Sequence, residues 1–212
     1  MASTGLQAMG LLLLAIGLLG ASVACGMPRW QVKAQLEEDN LSGDDRLVGL
    51  WRKCLVSFPN VEHCKMYPSV LELPLMLQAS RALVVGSLVL SALALFVGSL
   101  GANCASCLTD EVVKAKMAMA SGILSILASL LLLVCASWWC YSTQRDFNRP
   151  QPGAGSRMEL GSCIYLAFAA GGSLLLGGSL LCSSCPPARG HGYSARYRRA
   201  GAPAGQEGTK YV

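Results

Sequence analysis

The distribution of charge along the chain limits its fold more than any other feature. Four long runs contain no Asp, Glu, Lys or Arg: residues 1–28, 82–109, 117–144 and 160–187. About 20 apolar residues are enough to cross the hydrocarbon core of a bilayer as an α-helix. The sequence therefore predicts an α-helical membrane protein that crosses the membrane at about residues 6–27, 82–102, 117–141 and 160–181.

The composition agrees with a membrane protein and argues against a nucleic-acid partner. Only 14% of the residues are charged, whereas soluble domains carry about 25%. The net charge of +5 is not spread along the chain, because residues 29–81 hold seven basic and seven acidic side chains. An excess of +4 lies in the tail, residues 186–212, which we expect to be disordered. This basic tail suits anionic membrane lipid, although a merely solvated tail is an equally good interpretation.

The first apolar run has two interpretations. Small residues at Ser22 and Ala24 could mark the cleavage site of a signal peptide. The run lacks a basic region before it, however, and it is longer than the apolar part of most signal peptides. We therefore expect an uncleaved first helix, and a single four-span domain over residues 1–185 with loops at 28–81 and 142–159.

The first loop contains two cysteines, Cys54 and Cys64, beside a tryptophan. A disulfide between them would close a short loop and stabilise a sheet too small to bury its own core. Two reduced, unrelated cysteines are the alternative. Alternation of apolar and polar residues at 30–33, 48–51 and 55–58 predicts short antiparallel strands, and Pro59 with Asn60 suits a hairpin turn. The apolar residues between 70 and 75 are expected to lie along the membrane surface.

Two Cys-x-x-Cys pairs follow predicted helices, and they help to fix the orientation. These residues are Cys104, Cys107, Cys182 and Cys185. Cysteines at the end of a span suit S-palmitoylation on the cytoplasmic side, with a zinc site or plain packing as alternatives. A disulfide needs the oxidising side. The first loop is therefore predicted outside the cell, with both termini in the cytoplasm.

No arrangement of residues suggests an enzyme, and the sequence predicts no cofactor and no metal. It contains two histidines, His63 and His191, and none of the common catalytic or phosphate-binding motifs. No charged residue lies inside a predicted span, which argues against a proton-coupled transporter or a pore through the bundle. Any transport that the protein controls should lie outside its own helices.

The first loop and the second helix resemble the claudins. The pattern is carried by Trp30, Gly49-Leu50-Trp51, Cys54, Cys64 and Arg81. The resemblance implies a left-handed four-helix transmembrane bundle with a small extracellular antiparallel β-sheet. It also implies that Trp30, Gly49, Leu50, Trp51 and Arg81 anchor that sheet to the bundle.

The resemblance further implies how the loops act. The second loop matches the family at Asp146, Phe147 and Pro150, which would support adhesion between cells, but Asn148 stands where most claudins have an aromatic residue. In claudins, charges on the first loop set ion selectivity, and the candidates here are Lys65, Asp44, Asp45 and Arg46. Lys65 resembles the residue of sealing or anion-favouring members.

Two short motifs add predicted partners and one modification. The chain ends in Lys210-Tyr211-Val212, and a PDZ domain binds such a tail as an added strand. The claudin resemblance implies PDZ scaffold proteins of the junction as partners. Asn40 begins a glycosylation sequon in a loop predicted to be extracellular, although the sequon could be unused.

Together these features predict a plasma-membrane protein of tight junctions. The resemblance implies that it polymerises with itself and with other claudins, in one membrane (cis) and across two (trans). It would control paracellular permeability, with a barrier type favoured. The alternative is a non-polymerising auxiliary or membrane-organising subunit of the wider claudin-like superfamily.

Overall fold

A computed structural model describes most of the chain. The described residues are 4–35, 45–57, 61–67, 73–103, 111–147 and 156–184. Several predicted features therefore lie outside the described residues: Asn40, Asp44, Pro150, Cys104, Cys107, Cys185, Lys210, Tyr211, Val212 and the rest of the tail.

Four long helices form the bundle and confirm the predicted class of fold. They are α1 (Thr4–Gly26), α2 (Leu75–Asn103), α3 (Glu111–Phe147) and α4 (Ser162–Ser183). Each is long and apolar enough to cross a membrane. Helix α3 packs against both α2 and α4, and α1 packs against α4 and α2.

Two of the helices are longer than the uncharged runs predicted. Helix α2 begins at Leu75 instead of Ala82, and α3 runs from Glu111 to Phe147 instead of Met117 to Tyr141. A run without charged residues marks only the part of a helix that crosses the hydrocarbon core. The helix itself can continue into the polar region beyond the core. Pro74 precedes the first residue of α2, and its carbonyl accepts hydrogen bonds from the amides of Leu77 and Gln78.

The start of α2 also corrects the prediction for the apolar stretch before it. Leu73 is buried in the core, so this residue does not lie on a membrane surface. Leu75 is 83% exposed and is the first residue of the helix. Pro74 therefore marks the helix boundary, with Leu73 in the core before it and Leu75 at the helix start, while Val70 and Leu71 lie outside the described residues.

Five short strands form one antiparallel sheet. They are β1 (Gln31–Gln35), β2 (Asp45–Val48), β3 (Arg52–Ser57), β4 (Val61–Met66) and β5 (Ser156–Leu160), in the order β4-β3-β2-β1-β5. The small antiparallel sheet is confirmed, but of the predicted strand at residues 48–51 only Val48 lies in a strand, as the last residue of β2, and residues 49–51 form the turn between β2 and β3. β5 comes from the second loop and pairs with β1, so both loops share one sheet.

Connectivity places the sheet at one end of the bundle. β1 follows α1, β4 precedes α2, and β5 lies between α3 and α4. This is the end at which α1 and α3 finish and α2 and α4 begin.

Small residues and serines line the seams between the helices. The hydroxyls of Ser125 and Ser129 on α3 donate to the carbonyls of Leu174 and Gly171 on α4, each at 2.8 Å. Ser121 of α3 donates to the carbonyl of Ala94, and Ser87 of α2 donates to the carbonyl of Ala128. Close approach and interhelical hydrogen bonds drive helix association in lipid, where no hydrophobic force acts between helices. Helix α3 is therefore bonded to both of its neighbours.

Candidate functional site

Trp30 joins the sheet to the bundle. Its side chain is completely buried, and its Nε1 donates to the carbonyl of Ala24 at 2.8 Å. Its ring centroid lies 5.6 Å from that of Trp139 on α3. Trp139 in turn donates from Nε1 to Ser80 Oγ at 2.9 Å. A residue of the first loop is therefore part of the core of the bundle.

Gly49 and Leu50 form the tight turn between β2 and β3. The amide of Gly49 donates to the carbonyl of Arg52 at 3.0 Å. A Cβ on Gly49 would lie 2.5 Å from Pro28 Cα, so a larger residue would push the turn away from the start of the sheet. Leu50 is fully buried. The turn thus brings the backbone close to the chain leaving α1.

Arg81 holds the outer side of the same turn. Its Nε donates to the carbonyl of Leu50 at 2.8 Å, and its guanidinium lies 4.8 Å from the ring centroid of Trp51 and 5.4 Å from that of Tyr67. Cation–π contacts of this kind favour a planar guanidinium over a compact ammonium. Burial raises the pKa of Tyr67, and the nearby Arg81 charge partly offsets that rise.

Cys54 and Cys64 are joined by the disulfide that the sequence predicted. They occupy opposite positions of β3 and β4, with their Cα atoms 4.1 Å apart. Cys54 is buried, while all of β4 is exposed. The disulfide therefore ties the exposed edge strand to the covered part of the sheet.

Two of the three predicted adhesion residues of the second loop lie in a helix, and the third, Pro150, is outside the described residues. Asp146 and Phe147 belong to the last turn of α3, and Phe147 is 58% exposed. The segment after β5 packs closely on the first loop: the amide of Gly161 donates to the carbonyl of Trp30, and that of Cys163 to the carbonyl of Arg29. A Cβ on Gly161 would overlap the Arg29 carbonyl.

The three described selectivity candidates lie on two strands. Lys65 is exposed on β4, and Arg46 is exposed on β2. Asp45 is the first residue of β2 and pairs with Val56.

One predicted palmitoylation residue falls within the described residues. Cys182 is half-buried near the end of α4. A Cβ added to Gly122 on α3 would lie 2.5 Å from Cys182 Sγ, so the thiol fills the space that Gly122 leaves. Within the described ranges, no three His, Cys, Asp or Glu side chains are grouped so that they could hold a metal ion.

Several residues of the junction between sheet and bundle were not predicted from the sequence. Trp138 and Trp139 are adjacent in the sequence, yet Trp139 is 3% exposed and Trp138 is 44% exposed. The buried residues Leu132, Cys135 and Ala136 precede Trp139 at helical spacing, but most of the positions between them are also apolar, so the sequence does not distinguish this face of α3. Tyr67 and Ser80 gave no comparable signal, because their contacts join distant parts of the chain.

These observations define a class: a four-span membrane protein that carries a disulfide-closed sheet fused to one end of its bundle. A model of the PMP-22/EMP/MP20/Claudin family matches residues 4–181. Claudin-4 from Canis lupus familiaris is 42% identical over 200 residues, which cover 94% of this chain and 95% of the relative. Claudin-3 from Homo sapiens is 40% identical over 185 residues, which cover 87% of this chain and 84% of the relative.

The chain belongs to the PMP-22/EMP/MP20/Claudin family. The resemblance to claudins predicted from the first loop is confirmed. With four apolar helices, the chain is a multi-pass membrane protein of tight junctions.

Proposed function

We propose that this claudin is a structural and adhesion protein that polymerises into tight-junction strands and limits paracellular ion and solute flow. The observation that carries the proposal is the fusion of sheet and bundle. Strands from both loops form one sheet, and Trp30, the residue before β1, is buried against Trp139 in the bundle. A sheet held in this way presents a fixed surface to neighbouring copies in the same membrane and in the opposite one.

The proposed orientation places the sheet outside the cell and both termini in the cytoplasm. The disulfide supports this, because it requires an oxidising compartment. With four crossings, the two chain ends then share the cytoplasmic side. Labelling of a His63→Cys variant with a membrane-impermeant maleimide in intact cells tests this, since His63 is exposed on β4. Labelling only after permeabilisation would contradict the orientation.

The contacts of five residues support their proposed anchoring role. Trp30, Gly49, Leu50, Trp51 and Arg81 all contact the junction between sheet and bundle. Rigid anchoring would let adhesion forces on the sheet reach the membrane spans.

The exposed Phe147, together with Asp146 and Pro150, is proposed to contact the opposing cell.

The cytoplasmic side is proposed to bind lipid and scaffold proteins. Acylation is proposed at Cys104, Cys107, Cys182 and Cys185, and Lys210-Tyr211-Val212 is proposed to bind PDZ domains.

On the extracellular side, Asn40 of the first loop remains a proposed glycosylation residue.

Expression in cells that lack junction strands tests the proposed function. We expect freeze fracture to reveal continuous strands at cell contacts, and the transepithelial resistance of a monolayer to rise. A diffusely distributed protein that co-purifies with an unrelated channel would instead support the non-polymerising auxiliary role. A Cys54→Ser, Cys64→Ser double variant is the control, because it retains the spans but loses the closure of the sheet.

A further inference from the structure

Four large apolar side chains are exposed where the bundle meets the sheet. Met27 is 44% exposed directly after α1, and Leu75 is 83% exposed as the first residue of α2. Trp51 is 41% exposed in the turn between β2 and β3, and Met66 is 76% exposed as the last residue of β4. Apolar surface that is gathered in this way marks contact with a protein partner or with a membrane. We call Met27, Trp51, Met66 and Leu75 the apolar collar.

The helix lengths place the apolar collar at the edge of the membrane core. The membrane-crossing segment of α1 is Gly5–Gly26, and its 22 residues extend about 33 Å at 1.5 Å per residue. The hydrocarbon core of a bilayer is about 30 Å thick, and the headgroup regions lie beyond it. Met27 directly follows that segment, and Leu75 is the first residue of the segment in α2. The collar is therefore at the depth of the headgroups, where amphipathic aromatic rings are favoured.

Two hydrogen bonds hold members of the collar against the end of α1. Trp51 Nε1 donates to Cys25 Sγ at 3.4 Å, in the last turn of the helix. Met66 pairs with Arg52 across β3 and β4, and Arg52 Nη2 donates to the carbonyl of Gly26 at 3.5 Å. The apolar side chains of the sheet are therefore fixed at the level of the last residue of α1.

Arg52 adds a cation at the same level. The carbonyls at the end of a helix carry partial negative charge, so its bond to Gly26 stabilises α1. That bond uses only one of the five N–H donors of the guanidinium. The side chain is exposed, and within the described ranges it has no carboxylate partner. Nothing described lies within 4 Å of a Cβ placed on Gly26, so there is room for a ligand beside this arginine.

The chemistry at this depth selects the ligand. An arginine fork binds phosphate through two parallel hydrogen bonds, and phosphodiesters are the anions of the headgroup region. We propose that Arg52 and the apolar collar bind a phospholipid of the outer leaflet, with its phosphate on Arg52 and its glycerol and upper acyl chains on the collar. The bound lipid fixes the height of the sheet above the membrane. Only the choice of leaflet rests on the proposed orientation.

Lipid titration into the purified protein tests the phosphate contact. Dioleoylphosphatidylcholine is added to the full chain in detergent, and native mass spectrometry counts the bound lipid. Arg52→Gln should weaken the affinity about tenfold, the effect of losing one charge-assisted hydrogen bond. Arg46→Gln is the control, because it removes the same charge from an exposed residue of β2 outside the collar, and it should bind as the wild type does. Dioleoylglycerol, which lacks the phosphate, should bind equally to the wild type and to Arg52→Gln.

Labelling of β4 in bilayer nanodiscs tests the depth of the collar. Met66→Cys and His63→Cys both place a thiol on an exposed position of this strand. If the collar lies among headgroups, a membrane-impermeant maleimide should react several times more slowly with Met66→Cys than with His63→Cys. The difference should disappear in detergent without phospholipid. The wild type corrects for reaction of the native cysteines.

The outcomes decide the inference without reference to strand formation. It fails if Arg52→Gln binds phosphatidylcholine as the wild type does, which would leave Arg52 only as a cap of α1, or if Arg46→Gln loses binding equally. It also fails if Met66→Cys and His63→Cys react at the same rate in nanodiscs, a test that needs no Arg52 variant to fold. Lipid binding by a chain that forms no strands would overturn only the proposed function, and strands without lipid binding would overturn only this inference.

Discussion

The indole ring of Trp30 lies 5.6 Å from that of Trp139, centroid to centroid, with the two ring planes inclined by 48°. One ring comes from the first loop and the other from the third helix, so this pair is a direct link between the sheet and the bundle. Aromatic pairs at this distance stabilise a fold by more than the burial of their apolar area alone. The pair explains why a small sheet can have a fixed position on four helices.

Trp30→Ala should destabilise the whole protein. It removes a completely buried side chain, the hydrogen bond to the Ala24 carbonyl and the contact with Trp139. Truncation of a buried tryptophan costs about 3–5 kcal/mol. We expect a clear fall in the apparent melting temperature of the purified protein in detergent. Trp138→Ala is the control, because Trp138 is 44% exposed and adjoins Trp139 on α3, and an equal loss in both variants would contradict the role of Trp30.

Arg81→Lys should loosen the turn between β2 and β3 although it preserves the charge. Lysine cannot place a planar group against Trp51 and also donate from the Nε position to the Leu50 carbonyl. Loss of the cation–π contact and the hydrogen bond should lower the free energy of unfolding by on the order of 1–2 kcal/mol. Hydrogen exchange at the amides of β3 should become faster. Arg145→Lys, at an exposed residue near the end of α3, should leave these amides protected.

Gly178→Ala should disrupt the contact between α3 and α4. The added methyl group would lie 2.8 Å from the Gly122 carbonyl oxygen and about as close to Ile126 and Ser125. Overpacking of this kind costs about 1–3 kcal/mol. Gly172→Ala is a matched control on the same helix, since nothing lies within 4 Å of its added carbon. The control should be neutral or slightly stabilising, because alanine favours helix more than glycine. Equal melting temperatures for the two variants would refute the close contact.

Loss of the disulfide should release the edge of the sheet. A Cys54→Ser, Cys64→Ser double variant removes a bond that fixes β4, all of whose side chains are exposed. A disulfide that closes such a loop contributes about 2–4 kcal/mol to the free energy of unfolding. Limited proteolysis should cut the β3–β4 segment faster in the variant than in the wild type. Cys140→Ser, at a cysteine outside the disulfide, should show the wild-type pattern.

The sequence by itself determined the four spans, the small sheet and the disulfide. These features depend on local chemistry: charge is excluded from hydrocarbon over about 20 residues, and paired cysteines need an oxidising compartment. The predicted positions of the helix ends were less accurate, because α2 and α3 continue beyond the part that crosses the hydrocarbon core.

Only the tertiary structure decided which tryptophan enters the core and which charges share a face. Trp138 and Trp139 are neighbours with the same chemistry, yet α3 turns only Trp139 toward Trp30. Lys53 and Lys65 are separated by the disulfide loop and lie opposite each other because Cys54 pairs with Cys64 in that register. A shift of one residue would move every side chain of a strand to the other face. Pairings between distant segments set these relationships, and no local pattern in the sequence records them.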